Sequence, residues 1–263
     1  MTDLLNFADK IVVITGAAAG MGAAAATLFA DAGAEVHALD VQPGTTANSY
    51  TCDIGVEASI DATVAQLPAR VDVLVNCAGI PNGGRFSTEQ VMAVNWLGLR
   101  HLTEQLLPRI PEHGAVVNVA STAGRGWPNH ADSLKDLLTV DTWDEGAQWV
   151  RDNADLVGDG YSFSKEAVQL YTLHRSLGTI DAGVRMNSIC PGVTNTAIAD
   201  DFRAGVGNEI IDRAIEVAGR MAEPAEMAPT MLFLADSAAS GYINGVNLNV
   251  DRGTGAAHLL GRF

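Results

Sequence analysis

A tyrosine and a lysine four residues apart are the first pair in this sequence with the means to move a proton. Tyr161 and Lys165 stand in the run Tyr-Ser-Phe-Ser-Lys, and this spacing places both side chains on one face of a helix. An unperturbed phenol has a pKa of about 10, too high for efficient proton exchange at neutral pH, and a nearby ammonium group lowers that pKa. The chain has three lysines, so the pair is uncommon by chance. Taken alone, such a pair is still more often a contact on the surface of a helix.

A second motif, rich in glycine, lies near the N-terminus. Residues 15–22 read Thr-Gly-Ala-Ala-Ala-Gly-Met-Gly, between a strand-like apolar run and an alanine-rich helical run. Small side chains let the backbone approach a pyrophosphate, and the helix start supplies N–H donors and the positive end of its dipole. The spacing GxxxGxG differs from the GxGxxG of the common dinucleotide fingerprint, and a tight turn alone would also explain the glycines. Because the motif follows an N-terminal strand, we interpret it as a cofactor-binding loop, formed by Gly16, Ala19, Gly20, Met21 and Gly22.

An aspartate at the end of the next predicted strand indicates which dinucleotide would bind. Asp40 lies 18 residues after Gly22, where a carboxylate can accept hydrogen bonds from both hydroxyls of an adenosine ribose and would repel a 2′-phosphate. No lysine or arginine occurs in residues 17–19 or 41–46 to neutralise such a phosphate. The alternative is an ordinary turn aspartate. We predict NAD rather than NADP as the cofactor.

Strand-like and helix-like runs alternate along the chain and would position these residues. Apolar runs predict strands at 11–15, 34–40, 49–53, 71–76, 115–120, 184–189 and 246–250. Helical periodicity predicts helices from the glycine turn to about 32 and at 56–67, 89–107, 161–179, 199–219 and 224–234. Continuous apolar strands in repeated β-α-β units are typical of a parallel sheet covered on both faces. We predict a single α/β domain over residues 1–263, a doubly wound Rossmann-type sheet of about seven strands.

Residues 126–160 depart from this alternation, since they contain two helical patterns and no strand. Leu134, Leu137 and Leu138 share one face of a short helix, and Thr142 with Glu145 matches a capping box. An apolar stripe follows the capping box, formed by Trp143, Ala147, Val150, Ala154 and Val157. We predict a helical insertion over these residues.

Composition limits the partners and the location that we expect. The chain has 31 acidic and 16 basic residues, a net charge of −15, which argues against a nucleic-acid or anionic-membrane surface. The three cysteines are far apart and the six histidines show no paired spacing, so we expect no metal site and no disulfide, and a reducing cytoplasm as the location. The uncharged run Ile11–Ala30 has the length of a membrane span, but acidic residues precede it and glycines divide it, which favours a strand and a helix.

In order along the chain, these motifs resemble those of the short-chain dehydrogenase/reductase family over essentially the whole length. The glycine loop matches the TGxxxGxG pattern, and residues 76–79, Asn-Cys-Ala-Gly, are similar to the family's NNAG strand end with a cysteine as the second residue. Residues 191–196 resemble the segment that wraps the nicotinamide and the pyrophosphate, and Asp53, followed by Ile54, falls where a family aspartate contacts the adenine. The positions of the family's catalytic tetrad correspond to Asn95, Ser121, Tyr161 and Lys165.

The resemblance implies a reversible NAD-dependent oxidoreduction between an alcohol and its carbonyl. Tyr161 would transfer the proton at the substrate oxygen, Ser121 would donate a hydrogen bond to that oxygen, and Lys165 would lower the Tyr161 pKa and hold the nicotinamide ribose. Asn95 would anchor a water that connects Lys165 to solvent. The implied cofactor-binding set is Gly16, Ala19, Gly20, Met21, Gly22, Asp40, Asp53, Ile54, Asn76, Ala78, Gly79, Tyr161, Lys165, Pro191, Gly192, Val193, Thr194 and Thr196. Considered singly, Asn76 and Asn95 could instead cap backbone groups.

Besides the cysteine in the NNAG motif, the sequence departs from the common family pattern in two places. Ser121 and Tyr161 are 40 positions apart, a longer interval than most members have, and the insertion accounts for it. An insertion of this kind, and the end of the chain, resemble the branch that includes bacterial 3α-hydroxysteroid dehydrogenase/carbonyl reductase and coniferyl-alcohol dehydrogenases. Arg252 stands where a glycine is usual after the aspartate.

This branch implies a small hydrophobic substrate, a steroid-like or coniferyl-like alcohol or ketone. Two other functions stay open: a 3-oxoacyl thioester reductase, which usually favours NADP, and a module that senses NAD without turnover. Family members commonly pair through the helices that start near Glu89 and Tyr161, which implies a homodimer or homotetramer. The insertion could block that pairing, cover the protein structurally, or form a wall or lid over the nicotinamide site.

Overall fold

The computed structural model of this chain describes residues 4–44, 46–83, 85–196 and 208–262. Its centre is a sheet of seven parallel strands in the order β3-β2-β1-β4-β5-β6-β7. The strands are β1 (Ile11–Thr15), β2 (Glu35–Asp40), β3 (Ser49–Thr51), β4 (Val73–Asn76), β5 (Ala115–Val119), β6 (Arg185–Pro191) and β7 (Asn247–Val250). Each coincides with a predicted strand to within two residues at either end, so the predicted Rossmann-type sheet is confirmed.

The order of the strands reverses at the centre of the sheet. Val12 of β1 pairs with Val36 of β2 on one side and with Val73 of β4 on the other. The connections that leave β1 and β4 therefore run to opposite sides, and they open a crevice at the carboxyl ends of these strands.

Helices cover both faces of the sheet. The α-helices are α1 (Gly20–Asp31), α2 (Glu57–Val64), α3 (Thr88–Met92), α4 (Leu99–Leu106), α5 (Ala131–Thr139), α6 (Trp143–Asp152), α7 (Ala154–Val157), α8 (Tyr161–Gly178), α9 (Asn208–Ala218), α10 (Pro224–Ala235), α11 (Ser237–Ser240) and α12 (Thr254–Leu259). Short 3₁₀ segments lie at Leu107–Arg109, Thr122–His130 and Ile180–Ala182. Of the helix predicted over 199–219, the first part lies outside the described residues, and the rest forms α9.

Alternate residues of the strands point into two separate cores, one on each face. On one face Val12 packs in a cluster with Phe29 of α1 and Met231 of α10. On the other face Val13 belongs to a cluster with Trp96 and with residues of α2, α4 and α8. Both faces of the central strands are therefore buried, which is why their sequence reads as continuous apolar runs rather than as an alternation.

The helix predicted over 89–107 is not uniform. Between α3 and α4 the chain forms a π-helical turn at Ala93–Gly98. A Cβ on Gly98 would collide with the carbonyl oxygen of Ile54, so this glycine lets the turn approach the loop after β3. Single π-turns inside α-helices are rare and are frequent at functional sites.

The predicted insertion is helical. After Thr122–His130 it continues through α5, α6 and α7, and the capping box of Thr142 and Glu145 is present at the start of α6. Leu134 and Leu137 are fully buried, as their shared face predicts. The predicted apolar stripe is wrong at Ala154, which is exposed while Leu156 packs against the core. The reason is that α6 ends at Asp152, and the break before α7 turns a different face inward.

The uncharged run near the N-terminus forms two elements, as expected. Residues 11–30 make up β1, the glycine loop and most of α1. Within the described parts of the chain, no helix is long and apolar enough to cross a membrane.

Candidate active site

The glycine loop between β1 and α1 is shaped for close approach of a ligand to the backbone. Gly16 and Gly20 have φ angles of +68° and +57°, which side-chain-bearing residues rarely adopt. A Cβ on Gly22 would collide with the carbonyl oxygen of Gly16. α1 begins after Ala19, which has no side-chain oxygen to cap it, and its first turn has no acidic residue. The start of α1 therefore suits an anion such as a pyrophosphate.

Asp40 is fixed at the end of β2, beside this loop. Its two carboxylate oxygens accept hydrogen bonds from the backbone N–H groups of Ala18, at 3.0 Å, and Gln42, at 2.9 Å. Asp53 lies in the loop after β3, where its Oδ1 accepts a hydrogen bond from the Gly55 N–H at 2.8 Å. Asp40, Asp53 and Ile54 line the same cleft as the glycine loop. They form its end on the β2 side.

The strand end at residues 76–79 supports the floor of the cleft. The Thr15 hydroxyl accepts hydrogen bonds from the N–H groups of Cys77 and Ala78, both at 3.0 Å, which ties the end of β1 to the end of β4. Ala78 and Gly79 line the cleft. The Asn76 side chain lies beneath it and donates hydrogen bonds to Thr103 and Asn118. Asn76 is one of the residues predicted to bind the cofactor. In the structure its side chain is held by these contacts in the core.

Ser121 and Tyr161 meet at the other end of the cleft, although 40 positions separate them in sequence. Ser121 follows β5 and Tyr161 begins α8. The Ser121 hydroxyl is hydrogen-bonded to the Tyr161 hydroxyl and accepts a hydrogen bond from the Ala123 N–H at 3.1 Å. The Ser121 carbonyl accepts a hydrogen bond from the Gln169 side chain at 2.8 Å, which ties the serine to α8.

The environment of Tyr161 differs from the prediction. Burial raises the pKa of Tyr161 to about 12, and the negative charge of Asp159 adds to this rise while the hydrogen bond with Ser121 opposes it. The Lys165 ammonium, expected to lower this pKa, lies 5.9 Å from the centre of the tyrosine ring. Desolvation of the phenol therefore outweighs its favourable neighbours in this structure.

Lys165 is a buried lysine directed at the cleft. Its Nζ donates a hydrogen bond to the carbonyl oxygen of Val119, at 2.9 Å. Burial lowers the pKa of Lys165 to about 8, with a partial opposing effect from the thiols of Cys77 and Cys190. The predicted spacing is confirmed, since Tyr161 and Lys165 both line the cleft from one helix.

Asn95 occupies the π-helical turn and does not line the cleft directly. Its amide group accepts a hydrogen bond from the Ile80 N–H at 2.8 Å and donates to the Ile80 carbonyl at 2.9 Å. It also donates to the Ser164 hydroxyl at 3.2 Å. A Cβ on Gly79 would lie 3.3 Å from Asn95 Oδ1 and 3.5 Å from Lys165 Nζ, so the two polar groups flank the same glycine.

Residues 191–196 close one side of the cleft. Pro191, Gly192, Val193, Thr194 and Thr196 all line it. A Cβ on Gly20 would lie 3.5 Å from the Thr196 methyl group, so this segment reaches the glycine loop. A Cβ on Gly192 would lie 3.1 Å from Asp251, and Arg252 beyond it has a φ angle of +52°, in the left-handed region that favours the glycine usual at this position.

These groups surround a single cleft of about 1150 Å³. Asp40 ends β2 and Ser121 follows β5, three strand intervals away, so the two ends are roughly 14 Å apart at the usual strand spacing. The cleft thus brings together the glycine loop, Asp40, Ser121, Tyr161 and Lys165, and it suits an extended dinucleotide with its reactive end beside the tyrosine.

Several residues that line the cleft were not singled out from the sequence. Arg125, Asn129 and Glu166 line it beside Ser121, and Ile210, Ile211, His258 and Leu259 line it from α9 and α12. Periodicity could not have found them, because they come from segments whose meeting depends on the tertiary fold. The neighbouring residues 197–207 lie outside the described residues.

The helical insertion contributes little to the wall of the cleft. Gly126 and Asn129, before α5, line it, whereas the apolar faces of α5, α6 and α7 pack into the core. A Cβ on Gly146 of α6 would lie 2.6 Å from the Leu97 side chain, so α6 sits on the π-helical turn. In the described residues the insertion packs over α3 and α8, the helices that begin at Thr88 and Tyr161. Most of the insertion is therefore a structural cover of these helices rather than a lid over the cleft.

The parallel sheet, the glycine loop and the converging serine, tyrosine and lysine define a nucleotide-binding oxidoreductase of the Rossmann class. Comparison with known proteins makes the class specific. Residues 10–131 match the family model for short chain dehydrogenase, and residues 152–255 match a model described as Enoyl-(Acyl carrier protein) reductase. The chain belongs to the short-chain dehydrogenase/reductase family and is an oxidoreductase acting on CH–OH groups.

Individual relatives agree with this assignment over nearly the full length. The chain is 33% identical over 261 residues to a coniferyl-alcohol dehydrogenase of Pseudomonas sp. (strain HR199 / DSM 7063), covering 97% of this chain and 100% of the relative. It is 29% identical over 256 residues to a 3-alpha-hydroxysteroid dehydrogenase/carbonyl reductase of Comamonas testosteroni, covering 94% and 97%. The branch suggested by the insertion is therefore confirmed.

Solved structures show the same fold with bound nicotinamide cofactors. The 3-alpha-hydroxysteroid dehydrogenase from Pseudomonas sp. B-0831, complexed with NADH, has a TM-score of 0.80 at 27% identity and covers 97% of this chain and 100% of that one. A gluconate 5-dehydrogenase structure from Beutenbergia cavernae with bound NADP (low occupancy) has a TM-score of 0.72 at 26% identity, covering 96% and 99%.

Proposed function

We propose that this protein is an NAD-dependent oxidoreductase that interconverts a hydrophobic secondary or aryl alcohol and its carbonyl. The observation that carries the proposal is the single cleft with Asp40 and the glycine loop at one end and Ser121, Tyr161 and Lys165 at the other. A module that only senses NAD would need none of the last three residues. When bound, the nicotinamide supplies the hydride chemistry, and the protein supplies orientation and proton transfer.

Tyr161 is the proposed acid and base at the substrate oxygen. Tyr161 is buried and its hydroxyl is already hydrogen-bonded to Ser121, so the two hydroxyls can hold one substrate oxygen between them. Ser121 stabilises the charge that develops on that oxygen. Because burial and the charge of Asp159 together raise the Tyr161 pKa to about 12 against the opposing hydrogen bond with Ser121, the proton transfer depends on favourable charge that arrives with the bound ligands.

Lys165 and Asn95 are the proposed supports of this proton transfer. Lys165 presents a buried Nζ to the cleft at the position where a nicotinamide ribose would lie, and its pKa of about 8 keeps it largely protonated at neutral pH. Asn95 flanks the same glycine as Lys165 and holds the backbone of Ile80 in both directions. We propose that Asn95 also anchors a water that links Lys165 to solvent.

Asp40 supports NAD over NADP. Its carboxylate is fixed by two backbone N–H groups beside the glycine loop, where the adenosine ribose would lie, and a 2′-phosphate there would meet negative charge. Its neighbour Val41, the next residue that lines the cleft, is uncharged. We expect wild-type catalytic efficiency with NAD(H) to exceed that with NADP(H) at least tenfold.

A hydrophobic substrate is supported by the rim of the cleft. Ile210, Ile211 and Leu259 line it from α9 and α12, and Phe86 lines it from the loop after β4. Ile210 and Leu259 are 53% and 82% exposed, respectively, so their apolar surface is available to a ligand in the cleft.

For assembly and location we propose a cytoplasmic homodimer or homotetramer. The insertion packs over the helices through which family members commonly pair, so contacts between subunits would use other surfaces. Sedimentation equilibrium of the purified chain measures the subunit number.

The experiment that tests the proposed function is a substrate panel read by NADH absorbance. Aryl alcohols, hydroxysteroids and a 3-oxoacyl thioester are assayed with each cofactor, in wild type and in Asp40→Ala with Val41→Arg. We expect turnover of at least one hydrophobic alcohol with NAD and a shift toward NADP in the double variant. Turnover of the thioester alone would assign the protein as an oxoacyl reductase, and NAD binding without any turnover would assign it as a sensor.

A further inference from the structure

A buried carboxylate lies in the wall of the cleft directly after the proposed lysine. Glu166 lines the cleft and is 5% exposed. Its Oε2 accepts a hydrogen bond from His130 Nδ1 at 2.6 Å. Its Oε1 has no hydrogen-bond partner among the residues that the structure describes. Among the described residues this oxygen is not one of the fully buried polar atoms that lack a partner, so it is reached from the cleft, where a ligand could donate a hydrogen bond to it.

The insertion holds His130 in place and leaves the other oxygen of Glu166 accessible. The His130 ring lies 6.1 Å from the ring of Phe163, on which Trp149 of α6 stacks at 5.9 Å. The Trp149 indole donates to Asp136 of α5 at 2.7 Å. On the cleft side, a Cβ on Gly126 would lie 2.5 Å from Glu166 Oε1, so any larger residue there would obstruct this oxygen.

The charges around the cleft select the kind of group that could bind this oxygen. A substrate carboxylate would be repelled by Glu166 itself. An ammonium group would meet the positive charges of Lys165 and Arg125, which line the same cleft. A neutral hydroxyl is repelled neither by Glu166 nor by the two cations, and it donates the hydrogen bond that a carboxylate accepts.

We propose that Glu166 determines specificity by accepting a hydrogen bond from a second hydroxyl of the substrate, distant from the carbon that reacts. The inference rests on the proposed function and narrows its substrate class to hydrophobic alcohols that carry a further hydroxyl on a ring. His130 is a positioning residue that holds Oε2 so that Oε1 faces the ligand.

Two alcohols that differ by one ring hydroxyl test this assignment: 4-hydroxycinnamyl alcohol and cinnamyl alcohol. Their binding to the enzyme–NADH complex is followed by NADH fluorescence, and their kcat/KM is measured with NAD. Because a hydrogen bond to a charged group is worth a factor of about 10 to 100, wild type should favour the hydroxylated alcohol by about that factor. Glu166→Met should reduce this preference to near one by weakening the hydroxylated alcohol alone, and Glu166→Gln should lie between.

A matched control separates this effect from a general loss of structure. Asp132 is an exposed carboxylate on α5, and Asp132→Asn should behave as wild type. His130→Gln should lower the preference less than Glu166→Met does, without changing kcat for cinnamyl alcohol. Thermal unfolding of each variant shows whether it remains folded.

The possible failures are distinguishable. If wild type oxidises both alcohols with equal efficiency and binds them equally, the proposed function stands and the role of Glu166 is refuted. The same conclusion follows if folded Glu166→Met weakens both alcohols equally. If wild type neither binds nor oxidises either alcohol, the aryl-alcohol function and this inference are both overturned.

Discussion

Lys165→Met should reveal how much stability the protein gives up to keep a charged lysine in its active site. Methionine keeps most of the length of the side chain and removes its charge. Burial lowers the pKa of Lys165 from 10.5 to about 8, so the folded protein carries an ammonium group that the unfolded chain would solvate fully. The variant also leaves the Val119 carbonyl without its lysine donor, and this lowers the stability of the variant by an amount that does not depend on pH.

The magnitude follows from the two pKa values. Below pH 8 the lysine is protonated in both states and the full penalty of about 3 kcal/mol applies, at about 1.36 kcal/mol for each pKa unit. Between pH 8 and 10.5 the unfolded chain binds more protons than the folded protein, so this contribution makes stability rise with pH. The penalty falls to about 1.4 kcal/mol at pH 9.5, and wild type should therefore gain about 2 kcal/mol relative to the variant between pH 7 and 9.5.

Urea unfolding of both proteins without cofactor, at pH 7, 8 and 9.5, measures this difference. The raised pKa values of Tyr161, Cys77 and Cys190 oppose stability at high pH in both proteins and largely cancel. Lys135→Met, at a lysine whose side chain is 63% exposed, should give a difference that hardly changes with pH. If the difference in unfolding free energy between wild type and Lys165→Met is constant across this pH range, the conclusion that Lys165 is buried and charged is refuted.

Three further changes test the site and its frame. Tyr161→Phe should lower kcat/KM by about 10² to 10⁴ while NADH binding, followed by fluorescence, stays near wild type; retained activity would remove Tyr161 from the mechanism. Gly22→Ala should abolish cofactor binding in a titration, because its Cβ would collide with the Gly16 carbonyl, and wild-type affinity would show that the loop is not tight. Leu137→Ala, at a fully buried position of the insertion, should lower the free energy of unfolding by about 2–5 kcal/mol, whereas a change below 1 kcal/mol in urea would mean that α5 is dispensable.

The insertion shows where prediction from sequence was successful and where it stopped. Its helices, its capping box and the buried face of Leu134 and Leu137 followed from spacing alone, because each depends on residues within a few positions of one another. Whether the helices covered the cleft or the core could not be predicted. Both surfaces are apolar enough to receive them, and the choice depends on how α8 and the π-helical turn are placed.

The pKa of Tyr161 is a second property that the sequence alone could not predict. The spacing of Tyr161 and Lys165 correctly predicted one helix face, but it suggested a lowered phenol pKa. The structure raises that pKa to about 12, since the cost of burial exceeds the help from neighbouring groups. Burial is set by segments far apart in sequence, so no local pattern could have shown it.

The sequence by itself determined the order of strands and helices along the chain, the glycine loop, the aspartate at the end of β2 and the tyrosine–lysine pair. These are local properties, written in apolar periodicity and in residue types at short spacings. Only the tertiary structure decided that Ser121 reaches Tyr161, that the helix carrying Asn95 has a π-turn, and that Glu166 turns one oxygen to His130 and the other toward the cleft. Each of these depends on contacts between distant segments, where packing and desolvation, rather than the neighbouring residues, set the geometry.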